Sequence, residues 1–175
     1  HTAQKTLPLL AAKLILLIMS TSIQPIQLRS LVSLRKLFVD ALSTDFGYFP
    51  ANYHSEVLAQ NRLHHFALAL ARPDRILLGA YRSRNLVGYS ISDCSGHTAF
   101  LFWIYMIPEL RGQGLGKQLL KATEQACRNK GKDNMQLVTH DHRDYYQKNG
   151  FGWVDTVTES DNNITMHLME KQLHV

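Results

Sequence analysis

The spacing of apolar residues changes several times along the chain, and each change predicts an element. Leu31, Leu34, Leu37, Phe38, Ala41 and Leu42 recur every three or four positions, which predicts an amphipathic helix capped at Ser30. Before it, residues 23–28 read as a short strand, with Pro25 at an edge or early position. The helical spacing returns over residues 51–70 and stops at Arg72-Pro73-Asp74. Residues 75–81 and 86–92 form two strands joined by a hairpin at 82–85. Residues 99–107 are apolar almost throughout, a buried strand stopped by Pro108. After Gly112–Gly116 an amphipathic helix runs to about residue 130, with Leu119, Leu120, Thr123 and Cys127 on its apolar side. A strand at 135–139, a short helix at 144–149 stopped by Gly150, and strands at 153–157 and 164–169 close the chain. Strands and helices interleave, which predicts an α/β fold: a mixed sheet with helices on both faces.

Composition narrows the partners. The 175 residues are 45% hydrophobic and 19% charged, with formal net charge +5. That is one globular domain, and its modest positive excess suits an anionic ligand better than a nucleic-acid groove. Cys94 and Cys127 are the only cysteines, so neither a disulfide scaffold nor a four-cysteine zinc site is expected. No apolar run reaches the ~20 residues that span a bilayer. Residues 7–19 are apolar around Lys13 and read as a leader or as read-through. Residues 1–18 are therefore expected to lie outside the domain, which spans 19–175. A cytoplasmic monomer or homodimer is expected, without nucleic-acid or membrane partners.

The chemistry starts at Arg111-Gly112-Gln113-Gly114-Leu115-Gly116, between an apolar strand and an amphipathic helix. The first amides of a helix lack carbonyl partners and sit at the positive end of its dipole. Glycines let an anion approach them closely, so this is a pyrophosphate cradle. It is not a dinucleotide fingerprint, because Lys117 stands where the third glycine belongs. Nor is it a Walker loop, because Arg111 and Gln118 stand where Gly and Ser or Thr are required.

The stretch from Ile104 to Leu120 resembles the acetyl-CoA loop of the GNAT N-acetyltransferase superfamily, with Arg111, Gly114 and Gly116 at the pattern's fixed positions. Tyr145-Tyr146-Gln147-Lys148-Asn149-Gly150-Phe151 is similar to that family's late segment. The resemblance implies a mostly antiparallel sheet whose fourth and fifth strands splay apart, with the pantetheine arm of acetyl-CoA in the gap. It implies cofactor contacts from Met106, Ile107, Arg111, Gly112, Gln113, Gly114, Leu115 and Gly116. Many members carry Asn at the end of the fifth strand; here Thr139 holds that place and offers a hydroxyl instead.

The implied reaction is direct attack of a primary amine, on a small molecule or peptide, on the acetyl thioester within a ternary complex. Acetyl-CoA is a co-substrate and no metal is implied. Tyr146 matches the tyrosine that protonates the departing sulfur; its neighbour Tyr145 is expected to pack inward. The acceptor pocket is expected from the loop between the first two helices, residues 43–53, and from the last strands, with Asp45, Phe46, Tyr48 and Tyr53, and Tyr105 of the fourth strand, as its candidate residues. An anion among aromatic faces suits a cationic amine, and the same rings equally serve as a roof over the core. The fourth strand carries no carboxylate, so the proton acceptor is left open among water chains leading to Tyr105, His97 or His140. His140 and His142, two apart at a strand end, point to opposite sides and read as a polar turn rather than a metal site. The alternative function is a domain that holds acyl-CoA without turnover; a basic nucleic-acid binder is the third reading.

Overall fold

The computed structural model describes residues 21–159 and 164–173, so the leader and the closing turn at 160–163 lie outside the described residues. Its elements run β1 (Thr21–Pro25), α1 (Leu31–Asp45), α2 (Ala51–Gln60), α3 (Leu63–Ala71), β2 (Arg75–Arg82), β3 (Asn85–Asp93), β4 (Ala99–Met106), α4 (Leu115–Asn129), β5 (Asn134–Thr139), α5 (Arg143–Lys148), β6 (Gly152–Glu159) and β7 (Ile164–Gln172). The strands form one sheet in the order β1-β2-β3-β4-β5-β7-β6. Among the described residues only the β4–β5 pair is parallel.

Each face of the sheet carries its own apolar layer. On one, α1 buries the six residues that its spacing marked. Phe38 sits at the centre of this layer, edge-on to Phe66 at 5.4 Å and to Trp103 at 4.9 Å. Truncating such a ring costs about 3–5 kcal/mol. On the other face, α4 lays Leu119, Leu120 and Cys127 against Ala80, Leu101, Met135 and Met169. One buried polar link joins that helix to the sheet. Thr123 donates to the Leu119 carbonyl at 2.9 Å, so Ser90 must be the donor in its 2.7 Å bond to Thr123.

Two elements differ from the sequence expectation. The first strand covers Thr21–Pro25 rather than 23–28, and Leu28–Ser30 coil into a tight turn leading to α1. Ser30 makes no side-chain cap; its hydroxyl instead accepts from Tyr81 at 3.0 Å. The helical pattern at 51–70 is two helices, broken at Asn61-Arg62. There the Asn61 side chain donates to the Val57 carbonyl, and Arg62 turns extended as the cap of α3. Asn is a weak helix former that bonds nearby backbone, and here it ends α2 without glycine or proline.

The feature that builds the site is a bulge at Phe102. Across β3 and β4, Ile91 pairs with Trp103 but Ser92 pairs with Leu101, so Phe102 is an extra residue. Strand alternation shifts by one there. Ala99 and Leu101 face α4, whereas Trp103 and Tyr105 face the α1–α3 layer. The parallel pairing with β5 ends at the same place, covering only Ala99–Leu101 against Met135–Leu137. Beyond it β4 stays with β3 as far as Met106, and β5 stays with β7 as far as Thr139. The fourth and fifth strands therefore splay apart.

Candidate active site

A cleft of about 590 Å³ opens where β4 and β5 part. The glycine loop and the start of α4 form one wall. Gly112 and Gly114 have φ of 74° and 78°, and open space lies where a Cβ would stand on either. Only glycine adopts that backbone without strain. The residue types therefore fit a diphosphate laid on the amides that open α4. Lys117, on the first turn, also lines the cleft.

Arg111 links this loop to the opposite wall. Its Nε donates to the Met106 carbonyl at 2.9 Å, and its Nη2 donates to both carboxylate oxygens of Asp45 at 3.0 and 2.7 Å. The guanidinium lies 5.3 Å from the Tyr105 ring centre. Asp45 is therefore already paired, 66 residues from its partner in sequence. Of the two backbone positions expected to meet the pantetheine arm, Met106 turns its carbonyl to Arg111. Ile107 donates its amide to Val87 and accepts at its carbonyl from Leu110. Gln113 points back to the Glu109 carbonyl, and neither Gln113 nor Leu115 lines the cleft.

The opposite wall is aromatic. Phe46 stands edge-on to Trp103 at 5.3 Å, and Phe49 stacks on Tyr53 at 4.1 Å and 13°. Tyr48 lies 4.4 Å from His140 across the mouth. Burial, then the charges of Asp141 and Asp45 and neighbouring Tyr53, raise the Tyr48 hydroxyl well above its ordinary pKa. Tyr105 is buried beneath this wall beside Tyr89, whose hydroxyl has no partner.

Tyr146 enters from α5. Gly150, at φ 90°, ends that helix, and the chain turns back so that the Phe151 amide donates to the Tyr146 carbonyl at 3.0 Å. The Phe151 ring then meets Tyr146 edge-on at 5.6 Å. Lys171 of β7 fixes the corner, donating to Glu124 of α4 at 2.8 Å and to the Asn149 carbonyl at 2.9 Å. This arrangement explains why the late motif needs both a glycine and a phenylalanine. Tyr146 is only 8% exposed, and burial, then Tyr145, keep its phenol protonated well past its ordinary range. The inward tyrosine is thus Tyr146; Tyr145 is 37% exposed, with its hydroxyl over Gly116. An expectation of Tyr145 packing inward misreads a six-residue helix whose buried face is set by Phe151.

Thr139 is buried at the end of β5, and its Oγ1 accepts from the His142 amide at 3.2 Å. His97, at the far turn before β4, does not line the cleft, whereas His140 does. Among the described residues no three His, Cys, Asp or Glu side chains gather as a metal site. No helix among them is long and apolar enough to cross a membrane.

No curated protein sequence matches the chain. Among solved structures, PaiA N-acetyltransferase from Thermoplasma acidophilum in complex with coenzyme A superposes with a TM-score of 0.76 at 24% identity, covering 88% of this chain and 99% of that one. Aminoglycoside 6'-acetyltransferase type Ii gives 0.68 at 18% identity, covering 88% and 98%. The ribosomal-protein-S18-alanine N-acetyltransferase from Escherichia coli gives 0.66 at 15% identity, covering 89% and 96%. These likenesses establish the fold. The model of the Acetyltransferase (GNAT) family matches residues 34–151, from the middle of α1 through the glycine loop to Phe151, and the chain belongs to that family.

Proposed function

We propose that the protein transfers the acetyl group of acetyl-CoA to a primary amine of a small molecule or peptide, by direct attack while both substrates are bound. The observation that carries this reading is the split after Leu101 and Leu137, which opens beside the left-handed glycines at the start of α4. The diphosphate would rest on the amides of residues 111–116, and the extended arm would lie along the free edge of β4 near Met106. Thr139, at the end of β5, would border the arm from the other side. The thioester brings the acetyl group. The chain's own residues supply position, a proton donor and a place for the amine.

Positioning is the largest contribution. Holding two reactants in line is worth roughly 7–11 kcal/mol in a well-oriented case. Tyr146, buried and protonated, is the donor to the departing sulfur, held by Phe151 and the Lys171 corner. The amine would enter past Phe46, Tyr48 and Tyr53, with Tyr105 beneath. These ring faces attract a cation, and Asp141 at the mouth adds negative charge, whereas the charge of Asp45 is met by Arg111.

The test mixes purified protein with acetyl-CoA and a panel of amines and follows free thiol. Thiol release that depends on the amine is expected. Stabilisation by CoA with no thiol from any amine would instead identify a domain that holds acyl-CoA without turnover.

A further inference from the structure

An alkyl ammonium has a pKa of about 10.4, so at neutral pH the acceptor arrives without a lone pair. Some group must take its proton. β4 offers no carboxylate, and Asp45 has both oxygens on Arg111. We propose that His140 is that proton acceptor, through its Nε2; the inference rests on the acetyl-transfer reading above.

The first support is the tautomer. His140 Nδ1 lies 2.7 Å from the Thr165 carbonyl. A carbonyl only accepts, so Nδ1 carries the ring hydrogen. The lone pair is therefore on Nε2, at the edge of the ring away from β7. A fixed tautomer with an unprotonated second nitrogen is what a general base requires.

The second support is the side of the sheet. β5 turns Met135 and Leu137 into the α4 layer, and Thr139 follows the same alternation. His140 comes out on the opposite side, against Tyr48 from the loop between α1 and α2. Tyr146 reaches the cleft from α5 and packs in the α4 layer. The two groups thus stand on opposite sides of the split, one beside the amine's aromatic entrance and one beside the cofactor wall. Deprotonation of the ammonium and protonation of the sulfur thereby fall to different groups.

The ammonium loses one proton to His140 Nε2, which passes it to solvent. The freed nitrogen forms the C–N bond as the C–S bond breaks. The nitrogen sheds a second proton, and Tyr146 gives one to the sulfur and is restored by it. The other ionisable groups around His140 are Tyr48 from the loop, Asp141 and His142 beyond β5, and Tyr145 on α5. Across the cleft stand the Arg111–Asp45 pair and Lys117.

The test is His140→Asn. Asn keeps a donor where Nδ1 stood, preserving the bond to Thr165, and has nothing at Nε2. We expect kcat to fall about 100-fold or more, as for loss of a general base. The dissociation constant for CoA, by calorimetry, is expected to stay unchanged. The acid limb of the kcat/KM profile is expected to disappear, and the deficit to shrink for amines of low pKa that arrive neutral. Nitrogen NMR of the unliganded protein should show one Nδ1–H imidazole that is missing in the variant. An Nε2–H tautomer at His140, a variant that keeps wild-type kcat and its acid limb, or a deficit equal for every amine overturns the proposal. A wild-type protein that releases no thiol with any amine overturns the acetyl-transfer reading, and the base with it.

Discussion

On the α4 side of the cleft the wall that we propose takes the donor is backbone, shaped by two left-handed glycines. On the α1–α2 side the wall is rings, carried by a loop and by the shifted half of β4. A backbone wall recognises a shape common to every acyl-CoA and tolerates almost any neighbouring sequence. A side-chain wall recognises one acceptor and changes with each substitution. Substitutions on the first should therefore damage use of the donor whatever the amine, and those on the second should change the amine alone.

The largest effect should remove the distinction altogether. Tyr48 on one wall, Tyr146 on the other and Tyr89 beneath all have phenols raised by burial, so their neutral forms belong to the folded state. Their stabilisation is complete below the ordinary tyrosine value of about 10 and is lost as pH climbs above it toward the native values. Denaturation midpoints should fall steeply above pH 10, with tyrosinate absorbance rising at the unfolding step. Seven tyrosines titrating freely near pH 10 with no loss of stability would refute this.

Next in size is Tyr146→Phe, for which kcat should drop about 100-fold with CoA affinity unchanged, read from thiol release and calorimetry. Gly114→Val comes third. A branched residue at φ 78° costs about 1–3 kcal/mol of backbone strain, and CoA binding should weaken by roughly 10-fold or more for every amine tested. Tyr48→Leu should leave CoA binding alone and raise the KM of a cationic amine about 2- to 30-fold, the span of a lost cation–ring contact. Smallest is Asp45→Asn. The pair with Arg111 is partly exposed, so its stability cost should stay below about 1 kcal/mol by chemical denaturation.

What the sequence revealed follows the same division. The glycine wall was legible because its constraint is local: alternating glycines after an apolar strand and before an amphipathic helix have one physical reading. The six buried residues of α1 and the hairpin at 82–85 were legible for the same reason. The other wall joins residues far apart. Nothing near Asp45 announces Arg111, and nothing near Tyr48 announces His140. The break at Asn61 lacked glycine or proline, and the bulge at Phe102 lies inside an unbroken apolar run. Even Tyr145 and Tyr146, adjacent and identical, were separated only by where Phe151 returned.

Phe102 has a further implication. Deleting that single residue would restore strict in-and-out order along the strand, with Leu101 still under α4 and Trp103 and Tyr105 still under α1–α3, and would return the neighbouring ribbons to register. The slot would zip shut into an ordinary parallel seam. By this logic the fold's capacity to hold a second molecule at its heart depends on one surplus amino acid, and a search for dead relatives of this protein should begin by counting residues between Leu101 and Trp103.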